Sequence, residues 1–407
     1  MTSVLDEFIL ADGWHEVPFR AIAEKISDSG YSDLESLSVF LDSGVVPRSS
    51  REDNHNQLGE SLEKYQRVIP NDLVFNKLRT WQGGFGISKY EGIVSPAYII
   101  TRPNQSLIDP RFLGFLLKSK PYLSELTRLS KWMPPTQFDI SWESIRDLKL
   151  RIPPIEEQLR IANALESKIG LLDFLISHKR KIILNIEEVW QSRLREAYEE
   201  FNFKSVPLKY FAWWQEGPGI MAEDFRGSGV PIMRISHVRT EPFNLEDCQF
   251  IEAELATRRW SSYLAKIGDL IISASASTEA IATKVSEALA GSIPYTGLIR
   301  IKSTHDALDN DYLRFFLLSP LFWNQVEQLK QGIGIQHWGP SHLSQVVIPL
   351  PEVSEQNRIV QALNELEIAK KSVLQLQRES IASLIELKES IITSLVTGEK
   401  TEDRDCL

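Results

Sequence analysis

Chemistry at a protein site needs certain residue types at certain spacings, and most such patterns are missing from this chain. No glycine-rich phosphate loop ends in Gly-Lys-Ser or Gly-Lys-Thr. The Asn/Asp-Pro-Pro-aromatic signature of amino-methyltransferases is absent, and "KWMPPTQF" (Lys131 to Phe138) has the proline pair with the wrong neighbours. The seven histidines are scattered, and the five-residue step from His337 to His342 is poor zinc spacing. The cysteines Cys248 and Cys406 have no metal-ligand spacing and read as free thiols of a reducing compartment. The chain is expected to catalyse nothing alone, to carry no metal and to hold no cofactor.

Residues suited to binding are easier to find. "VVPRSSREDNHNQ" (Val45 to Gln57) offers Arg48, Arg51 and Asn54 on a polar loop. "NKLRTWQGGFGISKY" (Asn76 to Tyr90) sets Lys77, Arg79, Trp81 and Gln82 beside three glycines. "SKWMPPTQFD" adds Lys131, Trp132 and Gln137. In the second half, "MRISHVRT" supplies Arg234, Ser236 and His237, "SASASTEAIATK" supplies Ser275 and Lys284, and "QGIGIQHW" supplies Gln336 and His337. Arg and Lys satisfy phosphates or guanine edges, and Asn and Gln can read adenine. Each loop alone reads as a solvated turn. Their recurrence at matching places makes them DNA-binding candidates.

Charge supports the first half most. The net charge is −10, but residues 44–151 hold 16 bases against 11 acids. Residues 1–43 hold 2 bases against 9 acids. A local basic patch binds phosphate inside an acidic whole. No apolar run approaches the roughly 18 to 20 residues of a membrane helix. The N-terminus carries acids where a secretory signal carries bases, so a cytoplasmic location is expected.

The elements that must position these loops are written twice. "IPPIEEQLRIANAL" from Ile152 returns as "PLPEVSEQNRIVQAL" from Pro349, placing Glu157, Gln158 and Arg160 198 residues before Glu355, Gln356 and Arg358. "VPFRAIA" parallels "VPLKYFA", "NDLVFN" parallels "GDLIIS", and "DPRFLGFLLKS" parallels "DNDYLRFFLLS", in the same order. A period near 200 means two homologous halves rather than a solenoid.

After each "P…EQ" opening a long helix is expected. Ala162, Ile169, Ile176, Ile183, Trp190 and Ala197 recur every seven residues, with Leu165, Leu172 and Ile186 at the companion position. The second helix carries Ile359, Leu363, Leu366, Val373, Leu376, Ile381, Leu384, Ile391 and Leu395, with Gly398 as its cap. Helices with so narrow an apolar stripe need a partner, and the two copies are expected to pair antiparallel. Trp14, Trp142 and Trp190 are assigned to core or seam. The expected architecture is an α/β (α+β) tandem repeat with pseudo-twofold symmetry. Its parts are a strand-rich domain at 1–151, a helix at 152–204, a second domain at 205–348, a helix at 349–398 and a tail at 399–407.

The ordered, duplicated set resembles the specificity (S) subunit of Type I restriction-modification systems over nearly the whole chain. The resemblance rests on the two "P…EQ…RI…AL" openings, on Asn71 to Pro103, and on "GSGVPIMRISHV" with "GDLIISASAS". "ASTEAIATK" departs from the family by lacking a glycine after its Ser-Ala pair. The resemblance implies two target-recognition domains, each reading half of a split double-stranded DNA site, held apart by a helical spacer. It implies docking of two methyltransferase (M) and two motor-nuclease (R) subunits. S-adenosylmethionine, ATP and Mg are then expected on those partners. Gln158, Arg160, Gln356 and Arg358 lie off the helix seam and are expected to face a partner. The competing reading is a coiled-coil scaffold with no DNA role.

Overall fold

A computed structural model describes residues 11–51, 62–133, 137–199, 203–239, 243–274, 281–331 and 338–397. The chain divides into two compact units, residues 1–179 with 379–407, and residues 180–378.

In the first unit a four-stranded antiparallel sheet runs in the order Ala23–Ile26, Tyr98–Pro103, Leu73–Asn76, Phe85–Ile87. Successive side chains of a strand point to opposite faces. Leu73 and Phe75 therefore enter the main core, while Val74 enters a smaller cluster with Leu37, Val39, Val45 and Ile100. Burial on both faces explains why "LVF" is a continuous apolar run rather than an alternating one. A helix pair, Pro110–Lys118 and Lys120–Leu129, covers the main core. Asp109 caps the first helix by accepting from the Arg111 and Phe112 amides at 2.9 and 3.0 Å. Pro110 suits the first helical position, where an N–H would be unsatisfied.

The second unit has the same plan. Its sheet runs Ala212–Glu216, Leu298–Ser303, Leu270–Ser273, Ala282–Lys284, again antiparallel. Leu270 and Ile272 face one core and Ile271 another. Asp309 caps Asn310–Leu318 through the Asp311 and Tyr312 amides. A second, separate sheet, absent from the first unit's described residues, joins Phe225–Arg226, Phe250–Ile251, Val230–Met233 and Ile293–Pro294.

Each unit launches a long helix. The strand Lys149–Ile152 pairs with His15–Pro18, and prolines 153 and 154 end it. The helix Ile155–Glu199 then starts, with Glu156 and Glu157 in its first turn, where the dipole favours anions. In the other unit, Val347–Pro349 pairs with Ser205–Pro207 before the helix Val353–Val396.

The helices pair antiparallel inside each unit. In the first, Ile161, Ala162, Leu165 and Ile169 share a core with Ile392, Leu395 and Val396, and Lys388 reaches Asp173 at 2.6 Å. In the second, Trp190, Leu194 and Tyr198 share a core with Ile359 and Leu363, and Lys370 reaches Glu187 at 2.6 Å. The stripe departs from strict heptads. Ile161, Leu194 and Tyr198 are buried beside the seam positions, because there the helix faces a domain core as well as its sister. Ile183 and Ile186 are half-buried, and Leu366, Val373 and Leu376 are 41, 40 and 61% exposed, so the expected face of the second helix is not a continuous seam. Gly398 lies outside the described residues. Trp14 and Trp190 are buried and Trp142 packs partly buried on the first core. Among the described residues no helix is long and apolar enough to cross a membrane.

Candidate nucleic-acid interface

The loop between Leu73–Asn76 and Phe85–Ile87 carries four of the candidates. Its geometry is fixed by backbone. Asn76 N–H donates to Gly84 O at 2.9 Å, Gly84 N–H to Arg79 O at 2.8 Å, and the Thr80 hydroxyl to Asn76 O at 2.8 Å. Gly83 sits at φ +86°, in the left-handed region. A Cβ on Gly84 would lie 2.6 Å from Arg79 O, so the loop closes only with glycine there. The result is a tight turn that leaves Arg79 and Gln82 exposed and Lys77 and Trp81 half-exposed.

A second hairpin, Lys131–Met133 with Gln137–Asp139, lies against this turn. Ile140 N–H donates to Lys77 O at 3.3 Å. Phe138 bridges the two loops, with ring centroids 5.2 Å from Trp81 and 4.8 Å from Trp132. Among the described residues no carboxylate lies within ion-pair distance of Lys77, Arg79 or Lys131. Of the Gln137 candidate, only the backbone, paired with Met133, is described. Phe138 was not among the candidates. Its cue was symmetry, since it stands directly across the hairpin from Trp132 with the proline pair between them.

Arg48 follows the strand Gly44–Pro47. Burial pushes the Tyr98 phenol above its usual pKa, with Tyr65 adding to the rise, while the Val39 backbone and the charges of Arg79 and Arg48 pull it back. Arg51 has a different occupation. It holds Asp42 at 2.8 Å and lies over the Phe40 ring at 4.4 Å, and that arginine holds the Asp42 carboxyl below its usual pKa. Asn54 lies outside the described residues.

In the second unit the equivalent loop candidate Ser275, and Gln336 and His337, lie outside the described residues. Lys284 is paired with Asp311 at 2.7 Å, so its charge is already compensated. The half-buried Arg234 donates to Gln249 Oε1 at 2.5 Å and lies over both Phe225 and Tyr295, which makes it a structural cross-link of the separate sheet. Ser236 is exposed on the short helix Ile235–Arg239.

His237 Nδ1 accepts from the Arg234 amide at 3.0 Å, so the neutral ring carries its proton on Nε2. Burial, then the Arg234 charge, lowers its pKa, while Asp247 opposes them. Folding therefore favours the neutral ring, and its contribution to stability is present above the ordinary histidine pKa and is lost as pH falls through the lowered one. Proton NMR of the His237 ring should show a midpoint below about 6.5. A midpoint above that value would contradict the buried acceptor role.

The expected partner-facing residues split in two. Arg160 and Arg358 are exposed and, among the described residues, pair along their own helix, with Glu157 at 2.6 Å and Glu355 at 2.9 Å. Gln158 and Gln356 do not face outward, and that expectation is corrected. Gln158 is 1% exposed: its Oε1 accepts from the Asp109 amide at 2.9 Å, and its Nε2 donates to Leu107 O and Pro153 O. Gln356 does the same with the Asp309 amide, Ala307 O and Pro351 O. Each glutamine clamps its long helix to the capping aspartate of its own domain.

Four similarities accompany this geometry. Residues 202–379 match the family model described as the Type I restriction modification DNA specificity domain. The chain is 22% identical to the EcoKI specificity subunit of Escherichia coli (strain K12), over 96% of this chain and 90% of that protein. It is 21% identical to the putative MjaX specificity subunit of Methanocaldococcus jannaschii, over 84% of this chain and 80% of that protein. A solved chain from work on complex assembly and conformational transition of the type I R-M system shares the fold. Its TM-score is 0.72 at 17% identity, covering 97% of this chain and all of that one.

Proposed function

We propose that this chain, a member of the Type I restriction-modification specificity family, reads a split DNA target with one recognition domain per half-site. The observation that carries the reading is duplication down to single hydrogen bonds. The same sheet order, the same aspartate cap and the same glutamine clamp recur in both units. On this reading each unit presents one DNA-reading surface.

The recognition domains are assigned to 1–151 and 205–348, with the helices at 152–204 and 349–398 as spacer and the remainder as tail. In the first domain Lys77, Arg79 and Lys131 supply phosphate contacts, and Arg48, Trp81, Gln82 and Gln137 are the further DNA-binding candidates. Ser236, His237, Ser275, Gln336 and His337 are the counterparts in the second. Exposed Arg160 and Arg358 remain the residues offered to a partner. Two methyltransferase subunits and two motor-nuclease subunits supply the catalysis, with S-adenosylmethionine, ATP and Mg, and the chain itself supplies none. The complex works in the cytoplasm.

Methylome sequencing of cells expressing the chain with its methyltransferase partner should return a split motif. Removing residues 205–348 should abolish the motif's second half. In the purified complex, Lys77→Ala with Arg79→Ala should weaken DNA binding and reduce the salt dependence of log K by about 0.9 for each lost phosphate contact. DNA binding indifferent to both changes, with no split motif in the methylome, would favour a scaffold without a DNA role.

A further inference from the structure

Trp132 stands out on the first unit's surface. It is 49% exposed at the middle rung of a short two-stranded hairpin, where an indole does little for the core. Yet it is held stiffly. Phe138 lies edge-on against it at 4.8 Å, Trp81 backs Phe138 at 5.2 Å, and Trp81 belongs to the glycine-closed turn. The hairpin is also tied to that turn through Ile140 and Lys77. An exposed aromatic free to collapse would lie down on its neighbours, whereas this one is propped up from behind. Lys131 precedes it on the strand, with Asp139 directly across the hairpin, and Lys77 belongs to the turn tied to the hairpin, all within a stretch of net charge +5.

A stiffly held exposed ring on a basic stretch of chain matches duplex DNA with one base step opened. The cations hold phosphates while the ring stacks on a nucleobase face. We propose that Trp132 is an aromatic wedge that stacks on an unstacked base of the first half-site. The proposal rests on the DNA-reading function above. Methylation of a base inside a duplex requires that base to leave the stack. A wedge beside it would compensate the stacking lost when the step opens.

The test uses the intact chain with its methyltransferase partner and duplexes carrying the sequenced methylation motif. 2-Aminopurine replaces each purine of the first half-site in turn. With the native chain, fluorescence should change strongly at one step. Trp132→Ala should abolish that change and weaken binding about tenfold to a hundredfold, with the salt slope unaltered. Trp132→Phe should restore most of both, because a smaller ring still stacks. Lys131→Ala should instead lower the salt slope by about 0.9. Unchanged affinity and fluorescence in Trp132→Ala would overturn the wedge and leave DNA reading intact, as would a loss that Trp132→Phe fails to restore. A native complex that binds no motif-bearing duplex would overturn both.

Discussion

Replacing Gln158 by Leu destabilises the first unit by about 3–5 kcal/mol, while Arg160→Ala, two residues on, costs below about 1 kcal/mol. The leucine fills a similar volume but leaves the Asp109 amide, Leu107 O and Pro153 O without their partner, all around a side chain only 1% exposed. A buried polar group stripped of its partner costs about 1–3 kcal/mol, and three lose theirs at once. Arg160 gives up only an exposed pair with Glu157. Gln158→Glu is no milder, because it turns a carboxylate oxygen toward two carbonyl oxygens. Gln356→Leu repeats the effect in the second unit. Hydrogen exchange on the complex resolves the two, since each variant should lose protection in its own unit. Equal, small effects of Gln158→Leu and Arg160→Ala would show that the clamp contributes little.

That pair of residues also marks where sequence reasoning worked and where it stopped. The helix opening, its acidic first turn and its duplication were all legible, because helix signals are local and periodic. Gln158 is off the helix–helix seam, as the heptad pattern indicates. The step from off the seam to facing a partner failed because it gave the helix one neighbour. At its start the helix has two, its sister and its own domain, and Gln158 points at the second. The aspartate caps carried a comparable signal in "DPRF" and "DNDY", yet no local rule couples them to a glutamine 49 or 47 residues later.

The loops divide the same way. The glycine-bearing loop was legible as a turn, and its cations were legible by type. Which cations are free was not legible. Arg51 and Lys284 resemble Arg79 and Lys131 in sequence, but Asp42 and Asp311 neutralise the first two. Ion pairing is a tertiary fact, and here it decides which charges remain for phosphate.

Inserting four residues into both long helices, after Lys179 and after Arg378, should lengthen the gap in the methylated motif by one or two base pairs. Four residues add about 6 Å of helix, against about 3.4 Å per base pair. The site follows from the packing. Ile161 to Ile169 are anchored in the first core and Trp190 to Tyr198 in the second, so the insertion falls where neither core grips the first helix. Both helices must be extended together. Lengthening the first alone slides Glu187 and Trp190 past Lys370, which pairs with one at 2.6 Å and lies over the other at 5.1 Å. A four-residue stutter in a paired helix is absorbed by local unwinding, whereas a one-sided shift breaks the contacts. The single insertion should therefore abolish methylation. The double insertion should retain it with reduced efficiency, because up to two added base pairs also turn the half-sites by up to roughly 70° around the duplex. An active double variant with its original gap would mean that the helices do not measure the distance between half-sites.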